Sequence, residues 1–235
     1  MSNLILVRDM AGFYWAKHFM DLRKEEDHQL VYLPWDRGPL KDQGDLLDRL
    51  EGDRRFLISP GESLPGYIHW EDILGSLEGL KSPLYLGGPG PGKSDPLVQT
   101  PLLLNLAQDG YLERGYVAYI LRDYLARAGD FEDLVLAHPA LLGLKKPANR
   151  LAQEEGFRLV DPLENFLEGL DDLGGQGDQR FFWVVRDFNL ERRLQEVFRF
   201  RPRFRLYHKH PWLRGEGLAK GKESKEKGGT YEKKR

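Results

Sequence analysis

Residues 157–170 read FRLVDPLENFLEGL, and this stretch predicts a strand followed directly by a helix. The run at 157–160 is mostly apolar and does not alternate as a half-exposed strand does. Asp161 is a helix-capping residue type, Pro162 suits the first helical position, and Glu164 completes a capping box. The leucines and phenylalanine that follow recur at helical spacing, so the stretch predicts one βα unit.

The same alternation of strand and helix extends along the rest of the chain. The other strand candidates are LILV (4–7), QLVYL (29–33), RFLIS (55–59), PLYLG (83–87), DLVLA (133–137), FFWVV (181–185) and FRLY (204–207). Residues 113–127 repeat apolar side chains on one helical face, and Asn189 is a candidate cap for a further helix. Apolar runs without strict alternation are typical of strands buried on both faces. We therefore predict an α/β fold with an open, mostly parallel sheet and flanking helices, in which the first four runs lie side by side.

The distribution of glycine and proline suggests where the chain divides. Both residue types are dense at 87–101, which predicts a connection between a first α/β half, residues 1–100, and a second, residues 101–214. Residues 215–235 have almost no apolar side chains, so we expect a disordered basic tail.

The composition excludes several classes of protein. The chain of 235 residues contains no cysteine, which excludes disulfides, thiol nucleophiles and cysteine-ligated metal sites. The histidines show no metal-ligand spacing, so no metal site is predicted. No apolar run approaches the 18 or so residues of a membrane span, and the N-terminus lacks a signal-peptide core. The sequence therefore predicts a cytoplasmic protein.

The charge of the chain is unevenly distributed. Residues 199–235 carry thirteen Lys and Arg against four Glu, a net charge of +9, while the rest of the chain has a net charge of −11. In an extended strand, alternating arginines share one face and the phenylalanines between them share the other. Such a row suits a phosphate backbone, and it equally suits an edge strand protected from pairing. The candidate nucleic-acid contacts are Arg199, Arg201, Arg203, Arg205 and Lys209.

The partner of this basic end is predicted from its charge alone. Nucleic acid or an acidic protein would complement it. The alternative is that the lysines only keep the chain in solution.

Residues 87–94 read GGPGPGKS and match the G-x-x-x-x-G-K-[ST] pattern of phosphate-binding loops. In that pattern glycines let backbone N–H groups face a phosphate, a lysine reaches its charge and a hydroxyl binds Mg²⁺. The residues that would do so are Gly87, Gly92, Lys93 and Ser94. Pro101 argues against a helix that starts at the lysine, because it would fall about two turns inside it. A Mg-nucleotide site and a purely structural loop both remain open.

Two longer stretches, ILVRDMAGFYWAKHF (5–19) and LVLAHPALLGLKKPANRLAQEEGFRLVDP (134–162), resemble the aspartate/glutamate racemase family. On this resemblance Asp9 and His138 match site positions of the family, while Ser59 and Leu136 occupy the positions of its two cysteines. Racemisation by two bases needs a proton donor and an acceptor on opposite faces of the α-carbon, which serine and leucine do not supply. The resemblance implies the family's fold and a cleft formed by Asp9, Ser59 and His138, without the activity.

These observations support three functional hypotheses. The first is a non-catalytic or weakly catalytic binding component, alone or as a subunit of a larger assembly, which engages a phosphate-bearing ligand or nucleic acid through loop 87–94 and segment 199–235. The second is a racemase-like protein that has lost both catalytic thiols. The third is a P-loop nucleotide hydrolase. No catalytic residue is assigned by the sequence.

Overall fold

The computed structural model describes residues 2–59, 61–92, 94–109, 111–112, 115–184, 187–198 and 203–206. The strands are β1 Ser2–Val7, β2 Asp27–Tyr32, β3 Arg54–Ile58, β4 Ile68–His69, β5 Pro83–Leu86, β6 Leu97–Val98, β7 Asp133–Leu136, β8 Arg158–Val160, β9 Gln179–Trp183 and β10 Phe204–Leu206. The α-helices are α1 Met10–Leu22, α2 Gly44–Leu47, α3 Trp70–Gly75, α4 Pro101–Gln108, α5 Tyr116–Leu125, α6 Lys145–Glu155, α7 Pro162–Glu168 and α8 Phe188–Phe198. Short 3-10 helices span Trp35–Arg37, Leu40–Asp42 and Pro139–Leu144.

Within the described ranges, the strands form two parallel sheets rather than one. The first has six strands in the order β10-β9-β2-β1-β3-β4, and the second has four in the order β6-β5-β7-β8. Every strand pair is parallel; in the first sheet Leu6 of β1 lies opposite Val31 of β2 and Leu57 of β3. The predicted α/β class with parallel strands and flanking helices is confirmed.

The assignment of all four N-terminal runs to one sheet is wrong for the fourth. LILV, QLVYL and RFLIS are neighbours in the first sheet, but PLYL forms β5 and pairs with β6 and β7 in the second. The chain later returns to the first sheet through β9 and β10. The boundary predicted at residue 100 falls inside the four-stranded sheet, and the division into domains 1–100 and 101–214 stays a prediction. The tail at 215–235 lies outside the described residues.

The unalternating run LILV of β1 is buried on both faces, as the sequence predicted. Ile5 and Val7 of β1 join a large apolar cluster that also contains residues of α1 and of the second sheet. Leu4 and Leu6 join a smaller cluster on the opposite side. All four side chains are fully buried, so the run LILV serves two cores with alternate residues.

Aspartate side chains cap the starts of α7 and α8. The Asp161 carboxylate accepts from the N–H groups of Leu163 and Glu164 at the start of α7, as predicted. In α8 the cap is Asp187, whose Oδ1 accepts from the Asn189 N–H at 2.9 Å, and not Asn189 itself. Over the described ranges, no helix has the length and hydrophobicity that crossing a membrane requires.

Candidate functional site

The candidate site is formed by residues that follow strands of both sheets. Side chains at the carboxyl ends of parallel strands collect at one edge, where open α/β sheets bind ligands. Asp9 follows β1 and Ser59 follows β3 in the first sheet, and His138 follows β7 in the second. The buried indole of Trp70, at the start of α3, donates from Nε1 to the Ala137 carbonyl at 2.9 Å, which fixes the end of β7 against the first sheet's helices.

Asp9 caps α1 and faces an exposed tryptophan. Its Oδ1 accepts from the Gly12 N–H at 3.0 Å, and its Oδ2 accepts from the Trp35 indole N–H at 3.4 Å. A Cβ at Gly12 would lie 3.1 Å from the Ile58 carbonyl oxygen, so glycine is needed for the start of α1 to approach the end of β3. This close approach holds Asp9 beside the strand that carries Ser59.

His138 is a half-buried imidazole that interacts with the charge of Asp9. Burial lowers the pKa of His138, and the negative charge of Asp9 acts in the opposite direction. Nδ1 accepts from the Ala140 N–H at 3.2 Å at the start of the 3-10 helix. The neutral ring therefore carries its proton on Nε2, and that N–H is a hydrogen-bond donor.

The two positions that the family resemblance assigned to cysteine are buried here without an acid or base. Ser59 is 1% exposed, and its Oγ has no hydrogen-bond partner among the described residues. Leu136 is fully buried at the end of β7. Neither side chain is paired with a group that could activate it.

Arg8 is a functional candidate that the sequence reasoning missed. It is 1% exposed, its Nη1 donates to Glu62 Oε1 at 3.0 Å, and its Nη2 donates to the Gly38 carbonyl at 2.8 Å. The guanidinium also lies 4.5 Å from the ring centre of Trp35. Burial lowers the pKa of Arg8, while Glu62 and then Asp9 raise it. A run of apolar residues ending in Arg-Asp gave no sign that the arginine turns inward.

The glycine-rich loop does not lead into a helix. It is followed by β6, and α4 begins only at Pro101, which is its first residue and not an internal proline. The Gly92 N–H donates to Asp95 Oδ2 at 2.7 Å, so this amide is bonded to a carboxylate of the same loop and not turned toward a phosphate. The strand-loop-helix context of a nucleotide-binding P-loop is therefore missing. Lys93 lies outside the described residues, and phosphate binding by Gly87, Gly92, Lys93 and Ser94 stays a prediction.

The start of this loop lies beside His138 instead. Gly87 has φ +81, and a Cβ there would lie 3.0 Å from Thr100 Oγ1 and 3.4 Å from the His138 Cβ. Thr100 is 1% exposed, and its hydroxyl has no hydrogen-bond partner within the described part of the chain. Gly87 and Thr100 thus extend the candidate site on the second sheet.

The basic segment forms an edge strand where the structure describes it. Arg203 and Arg205 are exposed, and Phe204 between them packs against Trp183 with ring centres 3.9 Å apart. Exposed arginines therefore alternate with a packed phenylalanine, as the sequence predicted. β10 is also the outermost strand of its sheet. Arg199, Arg201 and Lys209 lie outside the described residues.

A second cluster of polar side chains is centred on Asp161, which follows β8 of the second sheet. His18 Nε2 lies 2.6 Å from Asp161 Oδ2, and Lys145 Nζ lies 3.0 Å from the same oxygen and 2.5 Å from Glu164 Oε1. His18, Asp161 and Glu164 could offer metal ligands, but the Lys145 ammonium bridges the two carboxylates and supplies positive charge itself. Asp161 was predicted only as a helix cap, because the sequence does not bring residues 18 and 145 to it.

Comparison with known proteins adds information about the fold. No protein-family model and no curated sequence matches the chain. The chain shares the fold of glutamate racemases. The enzyme from Thermus thermophilus, in complex with β-chloro-D-alanine, matches with a TM-score of 0.61 and 18% identity over 87% of this chain and 95% of that one. The enzyme from Aquifex pyrophilus matches with a TM-score of 0.56 and 17% identity over 88% and 98%.

A third structure with this fold contains an amino acid. Glutamate racemase from Francisella tularensis, in complex with D-glutamate, matches with a TM-score of 0.54 and 11% identity over 86% of this chain and 95% of that one. At these identities the likeness concerns the fold alone. The fold implied by the family resemblance is therefore confirmed, and the comparisons give no support to the nucleic-acid hypothesis.

Proposed function

We propose that this protein binds a small amino-acid-like carboxylate in a racemase-like cleft and does not racemise it. The observation that carries the proposal is the chemistry at the two cysteine positions, where the chain has a buried serine and a buried leucine. Proton removal from one face of the α-carbon and return to the other needs two groups of matched pKa. A serine hydroxyl without a partner base is a poor base near neutral pH, and leucine has no proton to exchange.

The remaining polar groups suit binding. The Asp9 carboxylate is an acceptor for an ammonium group, and the Nε2–H of neutral His138 is a donor for a carboxylate. The unpartnered hydroxyls of Ser59 and Thr100 supply further hydrogen bonds once a ligand is present, because a buried polar group without a partner is costly. The presence of D-glutamate in a structure of the same fold makes glutamate a reasonable first probe.

Calorimetric titration with D- and L-glutamate and D- and L-aspartate tests this proposal. We expect Asp9→Asn and His138→Gln each to weaken binding about tenfold, the effect of losing one charge-assisted or buried hydrogen bond. Asparagine is also a good helix cap, so Asp9→Asn changes charge while α1 keeps its N-cap. Asp45→Asn, an exposed change in α2, is the matched control. Equal affinity of all variants, or no heat with any of the four amino acids, would contradict the proposal.

A second candidate function, binding of nucleic acid or an acidic protein through segment 199–235, is favoured by the exposed arginines of β10. Phe204 anchors the strand, so Arg203 and Arg205 present fixed cations at the sheet edge. Sequence-independent binding by such a row weakens steeply with salt, with a slope of about −0.7 per phosphate contact on single strands. Arg203→Ala/Arg205→Ala and deletion of residues 215–235 should each weaken binding at about 50 mM salt. Absence of binding by the full-length protein under those conditions would remove this candidate.

A further inference from the structure

A cavity of about 590 Å³ is lined by residues from the later part of α1, among them Lys17 and Asp21. It is also bounded by Leu112, Gly115 and Ala118 and by the start of α6. Its apolar wall includes the half-buried Ala118 and Pro147. Tyr14, Leu112 and Leu142 also line the cavity but are at most 6% exposed. Its charged lining is almost entirely basic, and Asp21 is the one acid there among the described residues. The basic side chains are Lys17, His18, Lys145, Lys146 and Arg150.

Three of the five basic groups already have partners. Lys17 pairs with Asp21 on the same helix. Lys145 pairs with Asp161 and Glu164, and His18 pairs with Asp161. These contacts neutralise one part of the cavity lining from within the protein.

The other two cations have no ion-pair partner in the described part of the chain. Lys146 and Arg150 are exposed and stand four residues apart on α6. Like charges at this spacing repel each other and destabilise a helix. The first turn of α6 contains no acidic residue and Leu144 provides no side-chain cap, so positive charge is also concentrated at the helix end where it is least favourable. An anion beside Lys146 and Arg150 would relieve both costs.

We propose that this cavity binds an organic phosphomonoester, with its phosphate between Lys146 and Arg150 and its apolar body against the wall that contains Ala118 and Pro147. Two unpaired cations match the charge of a phosphomonoester, which is about −1.5 to −2 at pH 7. The guanidinium fork of Arg150 suits two phosphate oxygens, and Lys146 adds a point charge. The cavity is much larger than a phosphate group, and its apolar wall is typical of sites that hold a ligand body as well as its charge.

The test compares phenyl phosphate with inorganic phosphate by calorimetry at low salt. We expect phenyl phosphate to bind the full-length protein with a Kd of about 1 mM or below, and inorganic phosphate to bind at least about fivefold more weakly because it leaves the apolar wall uncovered. The double variant Lys146→Gln/Arg150→Gln should weaken the binding of phenyl phosphate at least about tenfold, since both charge-assisted contacts are lost. Both positions are exposed, and glutamine is a good helix former, so the variant should fold. Its unfolding temperature should equal the parent's or lie slightly above it, because the repulsion between the two cations is also removed.

Two control variants separate this cavity from other sources of binding. Lys41→Gln/Lys81→Gln removes the same charge at exposed positions elsewhere and should leave phenyl phosphate affinity within about twofold. Lys93→Ala tests the glycine-rich loop and should also leave the affinity for phenyl phosphate unchanged. The proposal would be overturned by a folded Lys146→Gln/Arg150→Gln variant with parental affinity, by loss of binding in Lys93→Ala, by equal affinity for inorganic phosphate, or by no heat at about 10 mM phenyl phosphate.

Discussion

Arg8 shows how a single buried charge shapes the edge of the candidate site. Its guanidinium has partners on three sides, namely Glu62, the Gly38 carbonyl and the Trp35 ring. Replacing it by methionine keeps most of the packing volume but leaves the largely buried Glu62 carboxylate without its counter-charge. We expect Arg8→Met to lower the free energy of unfolding by about 3 kcal/mol in urea denaturation.

The matched variant is Arg8→Met/Glu62→Gln, which removes both charges. It should recover about half of the loss, because the uncompensated carboxylate is gone while the Gly38 carbonyl still lacks its donor. Arg122→Met, which removes an exposed arginine paired with Glu154 and Glu155, should have a much smaller effect. A double variant no more stable than the single one would show that the Arg8–Glu62 pair is not the origin of the loss.

The buried His28 and the half-buried His138 predict a dependence of stability on pH. Burial lowers the pKa of His28 and of His138 below the ordinary value of 6.5. Below pH 6.5 the unfolded chain takes up protons that the folded protein does not, so this contribution to stability is present above pH 6.5 and is lost as the pH falls from there toward the lowered pKa values.

Urea denaturation between pH 7 and pH 5 measures this effect. Each histidine should contribute a slope of at most about 1.4 kcal/mol per pH unit. His138→Gln should reduce the slope, because glutamine does not titrate. A stability that is flat or rises as the pH falls over this range would contradict the buried neutral state of these rings.

Among the elements, β10 attaches the C-terminal part of the described chain to the first sheet, mainly through Phe204. The Phe204 ring packs against Trp183, Phe181 and Phe13, with ring centres 3.9, 5.6 and 6.3 Å apart. Phe204→Ala should therefore lower the free energy of unfolding by about 2 kcal/mol, less than for a fully buried ring. Arg205→Ala, on the exposed face of the same strand, should change it little. Equal losses in the free energy of unfolding for the two substitutions would show that Phe204 does not pack against these rings.

Individual elements were the most predictable part of the molecule. The run LILV, the capped helix after Asp161 and the alternation around Phe204 each depend on neighbours in the sequence, and all three agree with the structure. The sequence left open whether a helix follows the glycine-rich loop, because the short pattern does not encode the return of residues 97–98 to β5 as β6. Pro101, which argued against that helix, marks the start of the next one.

At the scale of the whole molecule, the order of the strands could not be read from the sequence. PLYL and LILV are equally apolar, and local pattern does not determine that one pairs with β7 and the other with β2. The family resemblance identified Asp9, Ser59 and His138 by position. It did not reveal Arg8, Thr100 or the contact of Lys145 with Asp161, because these depend on tertiary packing.

We propose that this fold binds an amino-acid ligand without exchanging its α-proton. Proton NMR of glutamate and aspartate in D₂O with the purified protein measures binding and α-proton exchange in one sample. Saturation transfer from protein to ligand reports binding, and the intensity of the α-proton signal reports exchange with solvent. We predict saturation transfer with an α-proton signal that stays constant over many hours, because neither Ser59 nor Leu136 supplies the proton transfer. Loss of that signal in the presence of protein would contradict the proposed lack of exchange, and the absence of any saturation transfer would contradict the proposed binding.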